Sequence, residues 1–196
     1  TKHSAGEPPS KMGFKPGSVM RLDNALKMML VKSANDIAMA VGENIGGSQA
    51  AFAERMNAEA ARLAMTGTHF VNPNGLFDHR HITTARDIAI LASAILREFP
   101  EYDHYFSQPF LTIGKRRLSN RNSLLRQMKE ADGMKTGFVC NSGFNLVATA
   151  THDGHRLAAV IFGANSGKHR VDLAEMLLTD GFSRPPTARP KLQTIP

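Results

Sequence analysis

Asp153-Gly154 limits what this chain can fold into more than any other feature. It stands between two strand-like runs, Gly143–Thr151 and His155–Gly163. A two-residue type I′ hairpin turn needs positive φ at both central residues, and Asp-Gly meets that demand at little steric cost. Met134–Val139 reads as a third strand just upstream, and strands joined in succession by tight turns must run antiparallel. An amphipathic helix is expected over Lys168–Phe182, closed by Gly181. Helical patterns fill most of the upstream half, so the expected class is α+β, an antiparallel sheet covered by helices.

Residues 1 to 20 are rich in Gly, Pro, Ser and Lys and read as loop, with a short strand near Val19–Arg21. Asp23 is placed to cap a helix through Ala25–Val31. A second helix is expected over Asp36–Asn44, ending at Gly46-Gly47. Ser48 then caps a third, Gln49–Ala64, which carries Phe52, Met56, Ala60 and Leu63 on one face. Thr68–Val71 reads as a short strand and Asn72-Pro73-Asn74-Gly75 as a turn. Thr83 or Thr84 caps a helix that stops before Pro100. Pro109–Ile113 reads as strand, and Lys115–Glu130 as basic and irregular. Residues 1–182 are expected to form one domain, followed by a Pro-rich tail or linker over 183–196.

The 196 residues carry a net charge of +7. The basic residues form no long block, their densest spots being Lys115-Arg116-Arg117 and Lys168-His169-Arg170, and no aromatic-interleaved RNA-binding signature accompanies them. A solvated basic surface, or attraction for a carboxylate-bearing substrate, is expected rather than nucleic-acid binding. No run is apolar and long enough to span a membrane. A single cysteine, Cys140, forbids an internal disulfide. It reads as a turn residue, although nearness to Lys135 would favour its thiolate. Gly163–Lys168 imitates a phosphate loop but has one residue too few between its glycines and His169 where Ser or Thr is required. His79 and His81 offer two metal ligands without a third, so no metal is expected.

Two short motifs carry chemistry. Ser33-Ala34-Asn35 falls at a corner between two helices, where a hydroxyl can relay a proton and the Asn amide offers both a donor and an acceptor. The same residues also suit a plain helix cap. Lys135-Thr136-Gly137 lies on the first expected strand and supplies a cation, a hydroxyl and a bare stretch of backbone. The Lys can orient a carboxylate and favour deprotonation of a nearby hydroxyl. The Gly lets an extended peptide lie along the strand edge, and the amide of Phe138 can then donate to an oxyanion.

Lys32-Ser33-Ala34-Asn35-Asp36 and Asp132-Gly133-Met134-Lys135-Thr136-Gly137, the latter leading into Ser142-Gly143-Phe144-Asn145-Leu146-Val147, resemble the serine-type, penicillin-recognising D-alanyl-D-alanine carboxypeptidases. So do Asn74-Gly75-Leu76, Thr83-Thr84-Ala85-Arg86-Asp87 and Asn120-Arg121-Asn122, and the likeness runs from Leu30 to Phe182. It implies a β-lactamase/transpeptidase-like fold with a helical subdomain. The implied reaction removes the terminal D-Ala from peptidoglycan stem peptides ending in D-Ala-D-Ala, through an acyl-enzyme that penicillins and other β-lactams trap. No cofactor is implied. The implied location is the periplasm or cell envelope of a bacterium.

By the same resemblance Ser33 is a proton-relay hydroxyl, and Asn35 positions the substrate amide and the lysine. Lys135 and Thr136 orient the substrate carboxylate, while Gly137 and Phe138 line the substrate strand and supply half of the oxyanion hole. Arg170 faces the terminal carboxylate from the start of the last helix. The family's third motif, Ser-x-x-Lys, carries the nucleophile, and no Ser here has Lys three places on. That motif and an export signal are expected in a preceding N-terminal segment of the same protein, without which the chain should not acylate. Two alternatives on the same fold are a serine β-lactamase and a non-catalytic peptidoglycan-binding module. The first is disfavoured because no Glu-x-x-x-Asn-like segment lies between Leu63 and Pro100.

Overall fold

The computed structural model describes residues 1–184. The first element, α1 (Lys2–Gly6), corrects the expectation of loop over residues 1–20: Thr1 caps it by accepting the Ser4 amide. No strand forms at 19–21, where Val19 is 97% exposed. Helix α2 (Leu22–Lys27) opens at Arg21 without a side-chain cap. Asp23 sits inside its first turn instead and accepts from the Tyr105 hydroxyl at 2.5 Å and Lys27 Nζ at 2.9 Å. A π-helical turn, Met28–Lys32, continues α2 and ends at Ser33, which adopts φ 59 and ψ 51. That left-handed residue breaks the helix, and α3 (Asn35–Gly46) restarts it.

Helix α3 stops at Gly47 (φ 83), and Ser48 caps α4 (Gln49–Arg62) by accepting the Ala51 amide. The corner is tight: a Cβ on Gly46 would lie 2.7 Å from the Phe52 backbone nitrogen. Thr68–Val71 does not form a strand; only His69 bridges to Ile82. Thr84 caps α5 (Ala85–Glu98) by accepting the Asp87 amide. A 3₁₀ turn over Pro100–Tyr105 follows, and then a hairpin of β1 (Phe110–Ile113) and β2 (Arg116–Ser119). Strand β2 lies in the stretch expected to be irregular. Its run of basic residues hides the alternation, yet Leu118 faces inward and packs with Leu111 and Ile113 near Val31.

After α6 (Leu124–Gln127) come β3 (Ala131–Val139), β4 (Gly143–His152) and β5 (His155–Ala164), antiparallel in the order β3-β4-β5. The turn at Asp153 (φ 47) and Gly154 (φ 78) has the positive angles that the dipeptide demanded. Helix α7 (Gly167–Ser183) covers one face and extends the expected helix by one residue at each end. Leu146, Ala148 and Ala150 alternate inward from β4 and pack against Val171, Ala174 and Leu178 of α7. Each fully buried Leu or Val in such a core contributes about 1.5–3 kcal/mol. Strand β3 forms one side of the sheet and keeps an unpaired edge among the described residues. The Pro-rich stretch read as a linker lies, from Pro185 onward, outside the described residues.

Candidate active site

Strand alternation sets the site. Thr136 and Phe138 share the parity of the α7 face, where Thr136 pairs with Leu146 and Phe138 with Phe144. Lys135 and Gly137 point the other way, toward the corner between the π-helical turn and α3. There the Lys135 ammonium donates to Ser33 Oγ at 2.7 Å, across 102 residues of sequence, and to the Thr136 carbonyl at 2.7 Å. The backbone explains why the serine hydroxyl is available. In an unbroken helix Ser33 would follow Lys32 around the cylinder; the left-handed turn lifts it out at the helix end. Non-glycine residues rarely hold this conformation, at a cost of about 1–2 kcal/mol, and such residues concentrate at functional sites.

The ammonium of Lys135 is pushed down to about 8, first by burial and then by the repulsion of Arg170 and Arg121. Arg170 is itself buried, and burial followed by Arg121 depresses it from its usual value. Its Nη1 donates to the carbonyls of Gly137 at 3.1 Å and Asn145 at 3.2 Å, and its guanidinium lies 5.6 Å from the Phe144 ring centroid. Arg170 Nε is buried without a partner. Ser33, Lys135 and Arg170 thus converge on the β3 edge. Thr136 is buried, whereas Phe138 is 53% exposed and packs on Phe144 with ring centroids 4.4 Å apart.

Asn35 is placed differently from its expected contact with the lysine. Its side-chain amide donates to the Pro8 carbonyl at 3.0 Å and its backbone N–H to the Ser10 carbonyl at 2.8 Å. Ser10 Oγ in turn donates to the Lys32 carbonyl at 3.1 Å. Buried Asp36 accepts from the amides of Met12 and Gly13. Residues 8–13 therefore form a strap across the start of α3. Composition alone could not reveal it, because the strap engages the side chains of Asn35 and Asp36 mainly through its own backbone groups.

The Asn120-Arg121-Asn122 segment, marked in the sequence by its resemblance alone, anchors the start of β3. Asn122 is fully buried; it donates to the Gly133 carbonyl at 3.0 Å and accepts from the Leu124 amide at 3.2 Å. Asn120 Oδ1 accepts from the Asn122 amide at 2.8 Å. These two side chains hold Arg121 between the start of β3 and the π-helical turn, where its backbone N–H donates to the Val31 carbonyl at 3.1 Å. Two polar residues flanking an arginine were the available signal. Among the described residues no group of three or more metal-ligating side chains gathers, at His79 and His81 or elsewhere. Exposed Cys140 lies in the β3–β4 turn. No described helix is long and apolar enough to cross a membrane.

Residues 2–166 match the D-alanyl-D-alanine carboxypeptidase family, and the chain belongs to it. It is 37% identical over 174 residues to D-alanyl-D-alanine carboxypeptidase DacC of Escherichia coli, an alignment covering 88% of this chain and 44% of that protein. The crystal structure of DacD from Francisella tularensis superposes with a TM-score of 0.89 at 29% identity, covering 93% of this chain and 57% of that one. The cefotaxime-bound penicillin-binding protein D2 of Listeria monocytogenes superposes with a TM-score of 0.77 at 30% identity, covering 86% and 73%. The chain spans less than half the length of DacC.

Proposed function

We propose that this chain carries the substrate-binding half of a serine-type D-Ala-D-Ala carboxypeptidase that trims peptidoglycan stem peptides in the bacterial cell envelope. The observation that carries the reading is the 2.7 Å contact from Lys135 Nζ to Ser33 Oγ, made by two motifs far apart in sequence. The stem peptide adds to the open edge of β3 beside Gly137. Lys135 and Thr136 orient its terminal carboxylate, and Arg170 holds the Gly137 and Asn145 carbonyls while supplying a second positive charge. A serine of a Ser-x-x-Lys motif, which no stretch of these residues contains, attacks the penultimate carbonyl. The Phe138 amide donates to the oxyanion. Ser33 relays a proton to the departing D-Ala amine, and Asn35 contributes through the substrate amide. Water then cleaves the ester. β-Lactams react with the same serine; the cefotaxime-bound relative supports that expectation.

Residues 1–182 act as one catalytic unit in this reading, with the Pro-rich stretch as its tail. The test is labelling by fluorescent penicillin together with D-Ala release. The protein carrying a Ser-x-x-Lys motif labels, the 196-residue chain alone does not, and Lys135→Ala lowers both signals by at least about a hundredfold. Normal D-Ala release by Lys135→Ala would overturn the mechanism.

A further inference from the structure

The positive charge at the cleft does not stop at Lys135. Strand β2 alternates, so Arg116 shares a face with Leu118, and Arg117 with Ser119. Leu118 packs on the cluster that contains Val31, whereas the Arg117 guanidinium covers the Phe110 ring at 3.7 Å. Arg116 therefore stands on the side of the hairpin that meets the π-helical turn, where Lys32 immediately precedes Ser33. Arg121 lies beside the same turn through its bond to Val31. Among the described residues none of Lys32, Arg116 and Arg121 forms an ion pair with a carboxylate. The repulsions follow the same order. Burial, then Arg121 and Arg116, depress Lys32, while Arg170 and Arg121 act on Lys135. Arg121 thus links two groups of like charge that no acidic side chain neutralises.

Three unpaired cations on one rim destabilise the free protein and favour a bound anion. We propose a second anion subsite, formed by Lys32 and Arg116 and continuous with Arg121, that takes a carboxylate borne by the leaving residue of the substrate. The proposal rests on the reading above, in which Lys135 and Thr136 hold the terminal carboxylate. That group belongs to the residue that departs, so cations running outward from it meet whatever else that residue carries. A leaving residue with one carboxylate uses the inner site alone; one with two reaches the rim as well.

The experiment measures, by calorimetry on the protein at its natural length with the nucleophilic serine of its Ser-x-x-Lys motif changed to alanine so that no peptide is cleaved, the affinity for three blocked peptides ending in D-Ala-D-Ala, D-Ala-D-Gln and D-Ala-D-Glu. The D-Gln peptide matches D-Glu in size without the second charge. The D-Glu peptide is expected to bind about tenfold more tightly than D-Gln, the size of one charge-assisted contact. Lys32→Gln/Arg116→Gln should abolish that preference while leaving the D-Ala-D-Ala affinity within about twofold. Lys32→Arg/Arg116→Lys should retain it. The preference should also shrink in about 1 M salt, where the screening length falls to about 3 Å. Equal binding of D-Glu and D-Gln with D-Ala-D-Ala still bound, or a preference that survives the double Gln variant, overturns the subsite alone. Failure of all three peptides to bind overturns both the subsite and the carboxypeptidase reading.

Discussion

At the scale of single residues, Lys135 and Ser33 impose opposite demands on stability and function. Burial disfavours the charged ammonium, so the folded value of about 8 lies below the ordinary 10.5. Below about pH 8 the group is protonated in both states and the folded state bears the full penalty. Between about 8 and 10.5 the unfolded chain binds more protons, so this group's contribution to stability improves as pH rises. Lys135→Met should therefore melt above wild type near pH 7, with the gap narrowing across that interval in a thermal series. Binding of a carboxylate ligand should move in the opposite sense and weaken as pH rises through about 8, in a calorimetric titration. At Ser33 the left-handed backbone separates two substitutions that both delete the hydroxyl. Ser33→Gly should be about 1 kcal/mol more stable than Ser33→Ala, as read by urea unfolding, with both losing activity. The residues of both motifs stood out in the sequence by type and order. The αL angle at Ser33 did not, because serine is not a residue that advertises it.

Among the elements, β3 is held in place from outside the sheet. Asn122 →Ala removes a fully buried amide that spans Gly133 and Leu124. It should cost about 1–3 kcal/mol and lower β-lactam acylation of the full enzyme by loosening the strand that carries Lys135. Gly133→Ala meets the opposite problem: its Cβ would approach Thr149 Oγ1 to 2.5 Å. Overpacking there should cost about 1–3 kcal/mol, checked by equilibrium unfolding, and Gly133→Ala/Thr149→Ala, which deletes the clashing hydroxyl, should recover part of it. Strands β4 and β5 were legible because alternation and the Asp-Gly turn are local signals. Strand β2 was not, because its exposed arginines mask the alternation, and α1 was not, because a five-residue helix is too short to stand on propensity and is tied to α3 by the bonds of Thr1 and His3 to Glu43.

For the molecule as a whole, three clusters of buried side chains join the sheet with α7, the π-helical turn with the β1–β2 hairpin, and α4 with α5. The candidate site lies where the first two meet. The proposed boundary of the catalytic unit near residue 182 predicts that deleting residues 185–196 leaves the melting temperature unchanged; a fall of more than a few degrees would refute it. The sequence by itself determined the α+β class, the antiparallel order of the last three strands and the identity of the two chemical motifs, since each is written in neighbouring residues. Tertiary structure alone decided that Lys135 meets Ser33, that the Asn35 amide turns to the strap at Pro8, and that Arg170 spends its donors on Gly137 and Asn145. Those partners lie far apart along the chain, and only packing can choose among the many polar groups each could have met.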